Sequence, residues 1–533
     1  MRVRRMISLL RITTVLAAFL MTTLTAFAQA TEGTTSGETS ATAVNLSALQ
    51  AQVLELSAAL REMRAEVNAA RNEATELKQQ LKNASDQLQA MERRMASNTS
   101  LAAASAQPVP SPAQLPASEA RQLDGRLAKV EEEQQLLSSK VDDQYQTKVE
   151  SGSRYRVRLS GMALFNAFAN RGTTDNFDVP GVAVAAYPSQ ANGALGATLR
   201  QSMLGLDVFG PEIAGAKTTG DIRVDFFGGF PAIPDGVTSG LVRLRTGGLR
   251  LDWQDTSLVA GQYGPFFSPL SPTSLASFAY PALGDAGNLW RWTPQIYVEH
   301  RVALSGGSSL SLEGGIMDAL AGEIPSGASY RFAQAGENGG QPAYAARIAW
   351  GRNSQQSQQA QQGVWLGAGG YYARQRWGSR VVDAWAGTAD WMLPLSHEFS
   401  LSGEFYRGQA IGGLGAAEGQ SVIFTGGPLY SPQASIEGLH STGGWAQLKF
   451  APVERLEFNA AWGEDFSPTP AGYYSQGYNG LLVGRNESAF FNSIYHVRSN
   501  VLFSLEYRRL WTAESASVLF RANQVSLSAA TLF

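Results

Sequence analysis

Six arginines recur at alternate positions within short stretches: Arg156 and Arg158, Arg223, Arg243 and Arg245, and Arg250. Carboxylates stand close by, at Asp207, Asp221, Asp225 and Asp252. Guanidinium groups carry a permanent charge and bind carboxylates and phosphates through fixed pairs of N–H donors. Gathered on one face they make a basic wall; matched with the aspartates they make a structural ladder instead. Other chemistry is scarce. Cysteine is absent, which excludes disulfides, thiol nucleophiles and Cys-based metal sites. The four histidines, His300, His397, His440 and His496, have no metal-ligand spacing, and His397-Glu398 lacks the second histidine of H-E-x-x-H. LGAGG and GGLGAAEG match phosphate-loop patterns only loosely, in a chain with 55 glycines and no βαβ context. No metal, cofactor or catalytic residue is expected, and the chain reads as a non-enzyme.

The elements that would position the arginines differ along the 533 residues. The first 150 contain 3 of the 55 glycines and none of the 11 tryptophans. Residues 1–30 have the layout of a secretory signal: Arg2, Arg4, Arg5 and Arg11, an apolar run, then Ala26-Phe27-Ala28-Gln29-Ala30. Residues 31–45 form a Thr/Ser/Gly linker. From Leu46 a heptad runs through residue 96 with an apolar residue at every a and d position. It includes Leu46, Leu49, Val53, Leu56, Leu60, Met63, Val67, Leu77, Leu81 and Leu88. Such a run predicts an α-helical coiled coil of identical parallel chains. Residues 97–118 are a Pro/Ala linker, and residues 119–148 carry a second short coil, with Gln134 as a polar a position.

From Tyr155 the period changes to two. Val157, Leu159, Gly161, Ala163 and Phe165 alternate with Arg156, Arg158, Ser160 and Met162. About sixteen such strands are expected over 155–533, beginning near Tyr155, Leu199, Lys217, Leu241, Ser257, Pro294, Ser309, Pro342, Gly363, Val381, His397, Gly444, Arg455, Ser488, Ser499 and Ser517. A soluble sandwich and a membrane barrel share this alternation. Three features favour the barrel: the export signal, aromatic residues near strand ends (Tyr371, Tyr372, Trp377, Trp391, Trp445, Trp462, Tyr507, Trp511), and a final strand with Val525, Leu527, Ala529, Thr531 and Phe533 on one face. The expected fold is an all-β transmembrane antiparallel barrel preceded by a coiled coil. Near-neutral charge, 26 basic against 28 acidic groups in 151–533, gives no basis for nucleic-acid binding.

With these features the sequence resembles bacterial trimeric outer-membrane porins, most closely the DcaP-like porins with an N-terminal coiled coil. The resemblance is most specific in LRLDWQDTSLVAGQYGPFFSPLSP (Leu249 to Pro272) and LWRWTPQIYVEHRV (Leu289 to Val302). It implies that a strand ends at Gly261-Gln262, that Tyr263 to Asn288 folds into the lumen as a constriction loop, and that Arg291 to Gln295 starts the next strand. The loop would then bring Asp285 and Asn288 to the pore, opposite the arginine wall, with Glu404, Lys449, Glu457, Glu506 and Arg508 as further lumen groups. The implied function is passive diffusion of small polar solutes, with anions favoured if the arginines dominate. A tether from membrane to cell wall is the alternative. Expected partners are outer-membrane lipid, identical subunits (a trimer), the barrel-assembly machinery through Phe533, small solutes, and peptidoglycan for the rod, which would lie in the periplasm.

Overall fold

Strict alternation lets a sheet present one chemistry outward and another inward, and here the sheet closes on itself. The computed structural model describes residues 155–186, 192–324, 331–352, 363–475, 483–514 and 518–533. The signal segment, the linkers and both coils lie outside the described residues. In chain order the strands are β1 (Arg156–Arg171), β2 (Ala194–Thr198), β3 (Met203–Ile213), β4 (Ala216–Asp225), β5 (Arg243–Asp252), β6 (Thr256–Tyr263), β7 (Thr293–Ala303), β8 (Ser308–Met317), β9 (Ala343–Arg352) and β10 (Val364–Trp377). They continue with β11 (Arg380–Pro394), β12 (Phe399–Gln409), β13 (Val422–Thr425), β14 (Ser435–Gly438), β15 (His440–Val453), β16 (Leu456–Phe466), β17 (Tyr474–Ser475), β18 (Val483–Arg498), β19 (Val501–Glu514) and β20 (Leu519–Leu532). Strands β13, β14 and β17 form a small separate sheet. The other seventeen form one antiparallel sheet in which β2 and β3 share a single position beside β1, so the wall has sixteen strands.

The break between β2 and β3 is where the expected start at Leu199 falls. The Ser202 hydroxyl repairs it, accepting the Leu164 N–H at 2.9 Å. The freed residues turn inward, and Gln201 is fully buried. The sheet closes by pairing β1 with β20, from Met162↔Leu532 to Arg171↔Asn523. Phe533 completes the seam: Gly161 N–H donates to its carbonyl at 2.8 Å, and its own N–H donates to Gly161 O at 3.1 Å. Both ends of the barrel segment lie at one rim, where β3–β4 and β18–β19 are joined by two residues each. The long connections gather at the opposite rim.

Burial follows the period. Outward, Phe491, Phe503, Leu505 and Leu527 are about half exposed. Inward, Asn492, Glu506, Gln524 and Ser528 are buried. A monomer surface this apolar is not a water-facing surface; it suits hydrocarbon. Among the described residues no helix is long and apolar enough to cross a membrane. The aromatic expectation is corrected in part. Tyr372, Trp462 and Tyr507 are exposed, whereas Tyr371, Trp377 and Trp445 are buried. These three have inward parity and lie beneath the long loops, which supply the apolar partners that lipid would otherwise provide.

The outward Leu527 supplies a test of which face meets lipid. Leu527→Arg is expected to cost about 2–4 kcal/mol of barrel stability in lipid vesicles, while Ser528→Ala costs under about 1 kcal/mol. Denaturant titration in vesicles reads both.

Candidate functional site

Inward-facing polar side chains on eight strands hydrogen-bond a single segment, residues 264–292 between β6 and β7. At its start Phe266 stacks on Tyr297 at 4.5 Å and Phe267 stacks on Tyr371 at 5.6 Å. The segment then runs around the inside of the wall. Thr388 donates to Phe267 O at 2.8 Å. Glu404 accepts from Ser268 Oγ at 2.7 Å and from Leu270 N–H at 2.6 Å. Gln447 Oε1 accepts from Thr273 N–H at 2.6 Å, and Asn492 donates to Thr273 O at 2.9 Å. Glu506 accepts from Ser274 Oγ, and Asn166 donates to Leu275 O at 3.3 Å. Gln201 acts as a backbone surrogate: its Nε2 donates to Ala276 O, and its Oε1 accepts from Phe278 and Ala279 N–H. Buried backbone groups need partners, and with no strand of its own the segment takes them from the wall.

A second segment enters beside it. The glycine-rich stretch holding the 3-10 turns Gly412–Leu414 and Ala416–Gly419 is buried, and Trp290 N–H donates to Leu414 O at 3.2 Å. Glycine is required there: a Cβ on Gly413 would lie 1.8 Å from Leu320 O. Ala417 and Glu418 are left-handed, at φ 50° and 56°, a conformation that costs non-glycine residues about 1 kcal/mol or more. With Phe266, Phe267, Met317, Tyr371, Trp377 and Ile411 these segments form an apolar core along β7–β12. That half of the interior is packed.

The other half carries the arginines. Arg158 Nε donates to Asp207 at 3.0 Å, and Arg223 pairs with the same carboxylate. Arg243 grips Asp225 through two N–H groups at 2.7 and 3.1 Å, and Arg245 lies 3.7 Å from it. Arg250 bonds Asp252 at 2.7 Å and Glu299 at 3.2 Å, and Arg301 bonds Glu299 at 2.9 Å. Arg156 lies over the Phe209 ring, 4.1 Å from its centroid. The basic wall is therefore an arginine–carboxylate ladder. Side-chain exposure is 36% at Arg250 and 55% at Arg158 toward the short-turn rim, drops to 12% at Arg245, and is 21% at Arg243 nearer the long-loop rim. The last two are narrowed upon by the inner segment: Tyr280 lies 5.1 Å from Arg243 and Phe278 lies 5.0 Å from Arg245. Water reaches the short-turn end freely and the middle barely, which is the geometry of a constriction.

The remaining site residues lie elsewhere. Asn288 is buried and donates to Ser271 Oγ and Ala282 O, so it staples the segment to itself and does not line a passage. Arg508 is buried, bonded to Glu506 at 2.8 Å and packed over Phe490. It shares with Asp285 a crevice of about 20 Å³, room for about one water. Asp285 faces Arg508, not the ladder. Glu418 and Asp175, from two further loops, are its acidic neighbours. Burial, with Asp175 and Asp465 nearby, pushes the Asp285 carboxyl up to about 7 against the pull of Arg291 and Arg508. Burial and Asp285 push Glu418 well up too. Of the loop-holding residues, Glu404 and Glu506 were legible only as polar exceptions on strands; Gln201, Gln447 and Asn492 carry no signal beyond their parity.

No family model matches the sequence, and no curated protein matches it. Among solved structures, the outer membrane channel DcaP of Acinetobacter baumannii aligns over 73% of this chain and 100% of that one, at 18% identity and a TM-score of 0.55. An anion-selective porin from Comamonas acidovorans aligns over 71% of this chain and 100% of that one, at 11% identity and a TM-score of 0.41. OmpF of Salmonella typhi aligns over 71% and 98%, at 12% identity and a TM-score of 0.38. The last two scores are too low to carry an argument.

The raised acids give a pH prediction. A carboxyl whose folded pKa is raised stabilises packing fully below its ordinary value near 4, and that contribution is lost as pH rises through about 7. Amide exchange in residues 281–288 and 412–419, corrected for intrinsic rate, is expected to be faster at pH 8 than at pH 5. Asp285→Asn removes most of that difference. In fold, the chain resembles the bacterial outer-membrane porins, and DcaP among them.

Proposed function

We propose that the chain is an outer-membrane porin, a passive diffusion channel for small polar solutes, oligomerised as a trimer by its periplasmic coiled coil. The observation that carries this reading is the asymmetry of the interior. The outside of the barrel is apolar, the β7–β12 half of the inside is packed, and the β1–β7 half keeps a charged, water-exposed ladder. A barrel serving only as an anchor would have no use for solvated charge along one wall. Solutes would pass beside Arg156, Arg158 and Arg250, then squeeze between Arg243, Arg245 and the inner segment. Selectivity in such pores comes from width and from charge at the narrowest point.

On that wall seven arginines (156, 158, 223, 243, 245, 250 and 301) meet five carboxylates (207, 221, 225, 252 and 299). The excess supports a mild preference for anions. Short turns at the rim bearing Arg156 and Phe533 support a periplasmic side for that rim and an outer side for the long loops, and the coil of Leu46 to Met95 is proposed to lie on the cell-wall side. The heptads favour a further role as a rod between membrane and wall.

Planar-bilayer recording tests the reading. Correctly folded, heat-modifiable protein should give steady current steps, grouped in threes, with a reversal potential of anionic sign in a KCl gradient. Arg158→Glu with Arg250→Glu should lower the anion-to-cation permeability ratio by about threefold or more. Deleting Leu46 to Met95 should leave single-pore conductance intact while weakening the oligomer. Absence of conductance from folded protein would leave the rod as the working part.

A further inference from the structure

A cavity of about 650 Å³ lies at the long-loop rim, beside Arg243 and Tyr280. Its size is that of pockets that enclose a small molecule. Residues 175–178, which follow β1, and residues 227–237, between β4 and β5, supply most of its lining. A solute on the arginine side meets it next to the point where Tyr280 approaches Arg243. Aromatic rings make its apolar part. Phe177 and Phe230 are both exposed. Phe177 stands edge-on to Phe168, with 4.9 Å between ring centroids, and lies over Gly196, where a Cβ would come within 2.6 Å of it. Phe230 is steadied by Arg200, whose guanidinium lies 4.0 Å from its centroid and 4.1 Å from that of Phe227. Each of the two exposed rings is held on one side and meets water on another.

The polar part carries charge that is already matched. Arg200 Nε and Nη2 donate to Asp178 Oδ2 at 3.0 and 2.5 Å, and Arg243 grips Asp225. Asp175 adds a further carboxylate, whose Oδ1 accepts from Gly181 and Val182 N–H. An anion entering here would meet a carboxylate beside each guanidinium, and a cation would meet a guanidinium beside Asp178. A neutral solute meets neither penalty. Hydrogen-bonding capacity is left over for it. Among the described residues Arg200 Nη1 and Asn176 Nδ2 donate no hydrogen bond, and Asp178 Oδ1 accepts none. A hydroxyl both donates and accepts, so neighbouring hydroxyls on one ring can bond this mixed set. The C–H face of such a ring is slightly positive and suits the negative face of an aromatic ring.

We propose that this cavity is a saccharide-binding subsite at the mouth of the channel, in which Phe177 and Phe230 stack on sugar rings while Arg200, Asn176 and Asp178 bond their hydroxyls. The inference rests on the porin reading above and deepens it, naming short neutral sugars as a class of solute. Conduction needs binding that is favourable enough to enter and weak enough to leave. A site of two partly exposed rings and three polar groups has that character: it gathers the sugar beside the narrow stretch at Arg243 and releases it.

The test uses the full-length protein in a sugar-free detergent and saturation-transfer NMR with four probes: maltose, sorbitol, benzoate and choline. Maltose should give a saturable signal, strongest at its ring C–H protons. Sorbitol, which has the hydroxyls without the ring, should bind about tenfold more weakly or worse. The double variant Phe177→Ala, Phe230→Ala should weaken maltose binding by about tenfold. Phe332→Ala removes an exposed ring that does not line the cavity and should bind maltose as wild type does. Absence of a saturable maltose signal overturns the proposal, as does equal maltose binding by the double variant and wild type. Sorbitol binding as well as maltose, or displacement of maltose by equimolar benzoate or choline, also overturns it, the last two results making the cavity an ion site. Heat-modifiable mobility confirms that the variants fold, and the comparison of probes is made on wild-type protein and needs no variant. Bilayer conductance separates the two readings: a conducting protein that ignores maltose loses only this inference, and a non-conducting protein that binds it loses only the pore.

Discussion

In hydrocarbon each unpaired backbone N–H or C=O costs several kcal/mol, so a sheet that faces lipid can have no edge. Everything else in this molecule follows from closing one. The seam of β1 against β20, completed by the two bonds between Gly161 and Phe533, turns a row of unsatisfied groups into a continuous ladder. Closure fixes the parity of every strand. Parity then decides which residues meet lipid and which face the interior, and the interior inherits all the groups that lipid would reject.

The interior resolves that inheritance in two ways. Along β7–β12, apolar and small inward residues accept two loop segments and pack around Phe267, Tyr371 and Trp377. Polar inward residues elsewhere, such as Glu404, Gln447 and Gln201, serve as fixed partners for a backbone with no strand to pair with. Along β1–β7, arginines and carboxylates neutralise one another at bonding distance while keeping one side in water. The packed region and the inner segment confine the water-exposed part of the interior to the arginine side. Strain at Ala417 and Glu418 and the crowded acids Asp285 and Glu418 mark where this packing is least comfortable.

Much of the wall was legible in the sequence, because a period of two is a local property. Strand starts expected near Tyr155, Ser257, Pro294, Ser309, Pro342 and Val381 fall within one residue of the observed strands. Leu199 did not, because the split between β2 and β3 depends on a bond between Ser202 and Leu164 of β1, 38 residues away in sequence. The inward parity of the six arginines was also readable. Their pairing was not, because Arg158–Asp207 and Arg250–Glu299 join residues 49 apart in sequence. Asn288 and Arg508 were misjudged for the same reason: parity says which way a side chain points, and only the folded loop says whether anything covers it. The glycine-rich stretch near Gly412 passed as chance composition, since its need for glycine arises from contact with Leu320. The heptads of Leu46 to Met95 lie outside the described residues.

The proposed solute path follows the arginine ladder. The cysteine-free sequence makes that directly measurable. Single Arg158→Cys, Arg250→Cys and Asn459→Cys variants, recorded in a planar bilayer, would be treated with a charged methanethiosulfonate reagent. Current is expected to fall stepwise for the first two and to stay unchanged for Asn459→Cys, which sits buried on the opposite wall. Block at Asn459→Cys with none at Arg158→Cys and Arg250→Cys would place the path on the other side and contradict it.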